Sequence, residues 1–286
     1  VHRDAAAGAG GDAVSPFGDR LAEAVARRES QVVVGLDPDP RRVGDGPEAL
    51  RAFCRRTVAA VAPACVAVKP QLAWFERLGA PGWEAFEEAC ALAAEAGLLV
   101  IADAKRGDVD VSAAAYAEGL LRHPVDAVTV NPMLGGDAVA PFVDRARAEG
   151  RGLFVLVRTS NPGARDLQDL PLAGGGLWHE AVARAVAGWG EGGVGASGLS
   201  DVGAVVGATE PGHLGRLRAL MPAQPMLIPG VGAQGGRPGD LGPAFAGRRA
   251  AAVVNASRSV IFAEDPRRAA EDLRAQLWEV SGAQAP

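Results

Sequence analysis

Lysine is nearly missing from this 286-residue chain. Of its 29 basic residues, all but Lys69 and Lys105 are arginine. Asparagine is as scarce, with only Asn131, Asn161 and Asn255, and there is one tyrosine. The three cysteines, Cys54, Cys65 and Cys90, are odd in number and lack metal-ligand spacing. That excludes a disulfide framework and predicts small buried side chains in a reducing compartment, the cytoplasm. No apolar run approaches the roughly 18 residues of a bilayer span, and no charged-then-apolar leader opens the chain, so no membrane association is expected. The net charge of −5, with acids interspersed among the arginines, argues against nucleic acid as a partner. No G-x-G-x-x-G follows a strand and opens a helix, so neither a nicotinamide nor a flavin cofactor is expected. The four histidines, His2, His123, His179 and His213, have no partners at metal spacing, and no metal site is predicted. A composition 48% hydrophobic and 22% charged excludes disorder as the main state.

The abundance of alanine, glycine, arginine and proline reflects a coding bias under which surface lysines drift to arginine. A lysine that remains marks a place where a planar guanidinium does not fit or cannot give up a proton. Along the chain, residues 1–14 have no periodic apolar face and read as a loose tail. Residues 15–286 read as a single domain. Ser15 and Pro16 are placed to cap and open a helix running to about Arg28. Short aliphatic runs follow at Val32–Asp37, Cys65–Lys69, Leu98–Asp103, Ala127–Asn131, Leu153–Arg158, Ala204–Ala208, Met226–Pro229 and Ala252–Asn255. Continuous apolar runs of this length suit strands buried on both faces of a parallel sheet. Helical stretches lie between them, at Gly82–Ala96, Asp137–Glu149, Leu177–Trp189 and, after the last run, Pro266–Val280. Eight strands alternating with helices predict an α/β fold, a (β/α)8 TIM barrel, with a doubly wound open sheet as the alternative.

Barrel chemistry sits where strands end. Strand one ends at Asp37, strand two at Lys69-Pro70-Gln71, and strand three at Asp103-Ala104-Lys105-Arg106-Gly107-Asp108. Strand four ends at Asn131, strand five at Thr159-Ser160-Asn161, and strand eight at Asn255. Both lysines and all three asparagines therefore lie at or just past strand ends. Asp103 and Lys105, two apart on an extended segment, should leave the same face. With Asp37, Lys69 and Asp108 they gather alternating charges at one mouth. Buried ion pairs stabilise poorly after desolvation, so a salt-bridge plug explains five such charges less well than a cluster that delivers a proton to a developing carbanion. The glycine-rich Pro229–Gly236 loop and the Asn255–Ser259 segment occupy the two positions where these barrels hold phosphate, and Arg258 offers a charge-assisted contact.

These residues resemble one family. Asp103-Ala104-Lys105-Arg106-Gly107-Asp108 is similar to the D-x-K-x-x-D signature of the orotidine 5′-phosphate decarboxylases. Gly35-Leu36-Asp37, Lys69, Pro229-Gly230-Val231-Gly232-Ala233-Gln234 and Arg258 follow in chain order, from about Phe17 to Phe262. Thr159–Ala164 and Asn131-Pro132-Met133 resemble the longer bacterial subfamily. The resemblance implies cofactor-independent decarboxylation of orotidine 5′-monophosphate to UMP and carbon dioxide, the last step of pyrimidine nucleotide synthesis. It implies a homodimer with shared sites. Lys105 would protonate C6, Asp103 would sit against the substrate carboxylate, and Lys69 would hold Asp103 and the ribose. Asp37 would bind ribose hydroxyls and Ser160 the base. Gln234, Ser257 and Arg258 would hold the phosphate, with Pro229 and Asn131 counted among the substrate-binding strand ends. Asp108, Val109 and Ser112 would reach into the partner's site. Many relatives have threonine where Ser112 stands, and a Gly-Arg pair where Ser257-Arg258 stands. Loops such as Thr159–Gly176 would close over the ligand. Two alternatives share the barrel. One is a metal-dependent sugar-phosphate decarboxylase or aldolase, which carries a metal-binding glutamate where this chain has Lys69. The other is a non-catalytic nucleotide-binding barrel.

Overall fold

A computed structural model describes residues 14–122 and 124–283. The expected tail, residues 1–14, falls outside these except for Val14, as do His2 and His123. Eight strands, β1 (Val32–Leu36), β2 (Ala67–Pro70), β3 (Leu99–Arg106), β4 (Ala127–Val130), β5 (Gly152–Arg158), β6 (Val202–Val206), β7 (Met226–Pro229) and β8 (Ala252–Ala256), form one closed barrel in sequence order. Every neighbouring pair is parallel, and β8 closes on β1 through Val254, Asn255 and Ala256. The expected barrel is the observed fold. The sixth strand begins and ends two residues before the apolar run Ala204–Ala208, because Gly203 does not bound it. Gly203 is instead a strand residue, on which a Cβ would lie 2.4 Å from the Pro225 carbonyl.

Two apolar layers hold the barrel. Inside it, every strand gives one residue to a common cluster: Val33, Ala67, Ile101, Ala127, Phe154, Val205, Leu227 and Val253. Phe17, Leu21 and Val25 of the first helix (Phe17–Arg28) join that cluster and close it from beneath. Phe17 meets Phe154 edge to face at 5.9 Å. Gly152 makes this approach possible, since a Cβ there would stand 2.2 Å from the Phe17 ring. Outside the barrel, a larger cluster packs the strands against helices including Pro47–Val61, Ala80–Glu95, Gly136–Ala148 and Pro266–Gly282. The first helix departs from expectation at its start. Pro16, not Ser15, takes the cap position, and no side chain caps it. All three cysteines are buried and free, and burial pushes the Cys54 thiol up to about 12. Among the described residues, no helix is long and apolar enough to cross a membrane.

Candidate active site

Strand periodicity carries the inner cluster directly into the site. Two residues past Ala67, Ile101, Ala127 and Val253 stand Lys69, Asp103, Thr129 and Asn255. Two past Phe154 and Leu227 stand Leu156 and Pro229. All six line a cavity of about 810 Å³ at the C-terminal ends of the strands. Its floor is therefore polar on the β2–β4 side and largely apolar on the β5–β7 side.

Asp103 is the centre of the polar side. Its carboxylate accepts from Lys69 Nζ, from Lys105 Nζ at 2.5 Å, from Thr129 Oγ1 at 3.0 Å and from Gln71 Nε2 at 3.1 Å. Burial alone would raise the Asp103 pKa, but the two ammoniums outweigh it and hold the carboxyl far below the usual range. Lys69 is buried, which by itself would favour the neutral amine. The Asp103 and Asp37 charges reverse this and keep its pKa above the ordinary value. Lys105 differs from both. Its side chain is 44% exposed, against 6% for Lys69 and 7% for Asp103, so it faces the cavity.

The reason Asp103 and Lys105 meet is not the regular alternation expected from sequence. The β3–β4 register shifts between Ala102 and Arg106, and Lys105 has a left-handed backbone, φ 48°. A non-glycine residue in that region costs on the order of 1–3 kcal/mol. The Lys105 amide donates to Thr129 Oγ1 at 2.9 Å, which pins the kink. The distorted backbone turns the ammonium back over Asp103.

The other expected residues divide. Asp37 accepts from Ser257 Oγ at the β1–β8 junction. Gly35 is required beneath them, because a Cβ would stand 2.7 Å from Asp37 Oδ2. Ser160 Oγ donates to Gln234 Oε1 at 2.8 Å across the mouth. Gly230, Gly232 and Gly235 supply the positive φ of the loop carrying Gln234. Arg258 lines the cavity and has no carboxylate partner among the described residues. Asp108, Val109, Ser112 and Asn131 do not line it. Asp108 accepts from the Val109 amide at 2.8 Å, Asn131 from the Met133 amide at 3.1 Å, and Val109 and Ser112 are exposed.

Sequence spacing gives no role to Thr129 or to Gln71 beyond its place at a strand end, and puts Asn255 only in the phosphate segment, although the period of two from Lys69, Asn131 and Val253 points to all three. Asn255 is buried with no hydrogen-bond partner for its Oδ1, and it lines the cavity. Arg42, stacked 3.9 Å over the Phe262 ring, lines the rim and left no sequence signal. One histidine expectation also needs correction. His179 and His213 do meet, with Asp169, outside the cavity. Sequence spacing hid this because three separate segments contribute.

A family model described as the orotidine 5′-phosphate decarboxylase / HUMPS family matches residues 30–273. The orotidine 5′-phosphate decarboxylase of Deinococcus radiodurans is 44% identical, covering 93% of this chain and 97% of its own. That of Haloarcula marismortui is 42% identical, covering 94% and 95%. The chain belongs to the orotidine 5′-phosphate decarboxylase family. Among solved structures, Leishmania donovani OMP decarboxylase is similar with a TM-score of 0.80 and 35% identity, covering 93% of this chain and 98% of that one. Among the described residues lining the cavity, the Lys69–Asp103–Lys105 group is where two ammoniums meet a buried carboxylate.

Proposed function

We propose that the cavity binds orotidine 5′-monophosphate and converts it to UMP and carbon dioxide, with Lys105 as the proton donor to C6. One observation carries this reading: the Asp103 carboxylate holds two ammoniums, one sealed in the floor and one open to the ligand. The bond from C6 to the carboxylate breaks and leaves its electron pair at C6. The Lys105 ammonium stands ready to stabilise that charge and to transfer its proton, and the neutral amine regains one from solvent. A preorganised cation beside a buried carboxylate, once the loops exclude water, is worth far more than the same charge in water. Asp103, already ionised, would face the departing carboxylate. The apolar floor at Leu156, Val205 and Leu227 suits a departing neutral molecule. At the opposite rim, Gln234, Ser257 and Arg258 would hold phosphate, Asp37 the ribose, and Ser160 the base. Phosphate binding there would contribute energy to closing the loops over the reacting carbon.

The site is completed by a second copy of the chain. Support comes from the residues that turn away from this cavity. Asp108 is followed by the exposed Val109, Val111 and Tyr116, with the exposed Met133 and Leu134 after β4. An exposed apolar surface beside an unused acid fits a homodimer in which each Asp108, with Val109 and Ser112, enters the other site. The three free buried cysteines fit a cytoplasmic setting, and the acidic balance fits a nucleotide rather than a nucleic acid as partner. The direct test follows orotidine 5′-monophosphate loss by ultraviolet absorbance and UMP by chromatography. Stoichiometric conversion is expected. Absence of turnover, with nucleotide binding intact, would favour the non-catalytic barrel.

A further inference from the structure

The segment between β5 and the helix Trp178–Gly190 carries Thr159, Ser160 and Asn161 into the cavity, yet most of residues 161–176 are exposed. A connection this long without a core of its own is usually a functional one. Two adjacent residues in its middle hold both of its ends. Gln168 accepts through Oε1 from the Thr159 amide at 2.8 Å, and its carbonyl accepts from the His179 amide at 3.0 Å and contacts His179 Nδ1 at 2.8 Å. Asp169 accepts from Arg158 Nε at 3.1 Å and Nη2 at 2.8 Å, and lies 3.1 Å from His179 Nδ1. Arg158 is buried at the end of β5 and also donates to the Thr159 carbonyl at 2.6 Å. His179, 1% exposed, is thus the post against which Gln168 and Asp169 pull the loop toward Arg158 and Thr159. Because Arg158 occupies both Asp169 oxygens, this cluster of a carboxylate and two imidazoles is built as a clasp rather than as a cation site.

Ser160 sits between the clasp and the cavity. Its carbonyl accepts from Thr209 Oγ1 at 3.2 Å, and its hydroxyl meets Gln234. Anything that shifts Thr159 shifts Ser160. The His213 ring packs edge-on against His179, 4.8 Å between centroids, and fills the far side of the clasp. We propose that Arg158, Gln168, Asp169 and His179 form a brace that sets the position of Ser160 against the base of the bound nucleotide. His179 is then a positioning residue for turnover that touches no reacting atom. This rests on the reading of the site as one for orotidine 5′-monophosphate.

The distinguishing feature is selectivity by ligand part. The brace reaches the base end directly through Ser160 and the phosphate end only through the Ser160–Gln234 hydrogen bond, while Ser257 and Arg258 lie outside it. His179→Leu should weaken UMP binding about tenfold and raise KM for orotidine 5′-monophosphate comparably, while ribose 5-phosphate binding changes less than about twofold. His179→Asn, which keeps an N–H near Nδ1, should return UMP affinity to within about threefold. If His179→Leu does not fold, Gln168→Ala on the half-buried loop gives the same comparison. Equal losses for UMP and ribose 5-phosphate would reduce the cluster to general structural support and overturn the proposal. Unchanged UMP affinity in the folded variants would overturn it too. If wild type turns over the substrate and the variants match it, only the brace fails. If wild type neither turns over orotidine 5′-monophosphate nor binds UMP, the reading of the site fails.

Discussion

On the β1–β4 side of the barrel mouth, every group that meets Asp103 comes from a strand or the residue just after it: Lys69, Gln71, Lys105 and Thr129. On the β5–β8 side, Ser160, Gln234 and Arg258 come from loops or a four-residue helix, and among the described residues one exposed hydrogen bond, Ser160 to Gln234, is all that joins them. The first side has its charges fixed before any ligand arrives, at the cost of a buried lysine and a left-handed backbone at Lys105. On the proposed reading, the second side receives the phosphate. The contrast then amounts to a division of labour. Groups proposed to stabilise a short-lived charge are preorganised on the sheet, and groups proposed to gather binding energy sit on loops.

The largest expected effect tests the fixed side. Lys105→Arg keeps the charge but enlarges the head and removes a readily transferred proton. kcat should fall at least about 10³-fold, the scale of losing one key electrostatic donor. UMP binding should fall far less. If turnover survives, the strand-borne side merely binds, and the contrast between the two sides collapses.

A second test asks whether the fixed side is complete in one chain. Lys105→Ala and Asp108→Ala homodimers should each be nearly inactive. After mixing and subunit exchange, a mixed dimer holds one site lacking both groups and one with both intact. Random exchange makes about half the dimers mixed, so activity should return to roughly a quarter of wild type. No recovery despite demonstrated exchange would place Asp108 in its own chain's site.

How far these two sides were legible in the sequence differs for a physical reason. The barrel itself was readable because parallel strands buried on both faces are continuous apolar runs, and all eight were found within a few residues of their observed bounds. Lys69, Asp103 and Lys105 were readable because they end such runs in a chain without any other lysine. Thr129, Gln71 and Asn255 obey the same period of two but are ordinary polar residues, and only the closed barrel brings them together. The brace at His179 was not legible. Its members come from β5, from the loop after it and from the next helix, and spacing along the chain records none of those contacts. Asp108 is the opposite case, since the motif named it and one chain's geometry leaves it outside the cavity.

Arg258 tests the loop-borne side with a smaller effect. Arg258→Ala should weaken substrate and non-reactive nucleotides by about 1.5–3 kcal/mol, the value of a hydrogen bond to a charged group. kcat/KM should fall for the nucleotide and hardly at all for the nucleoside orotidine, which offers no phosphate to lose. Equal losses on both would assign Arg258 to supporting the fold, and the phosphate would then rest on Gln234, Ser257 and the loop backbone.

The smallest expected effect is none. Prolonged EDTA treatment should leave full activity, and the reason lies in how Asp103 is occupied. A divalent ion at the cavity floor would need carboxylate oxygens. Those of Asp103 are already held by two ammoniums, a hydroxyl and an amide. A cation entering there would have to displace Lys69, which is sealed beneath it, and then bear the repulsion of Lys105. Among the described residues, the other acids lining the cavity are Asp37, itself bound to Ser257, and Asp39, paired with Arg41. The sugar-phosphate alternative would call for a metal-binding glutamate where Lys69 stands, so the same treatment separates the two chemistries. A loss of activity restored by magnesium would mean that the ammonium network opens to admit an ion, and the strand-borne side would no longer count as fixed before the ligand arrives.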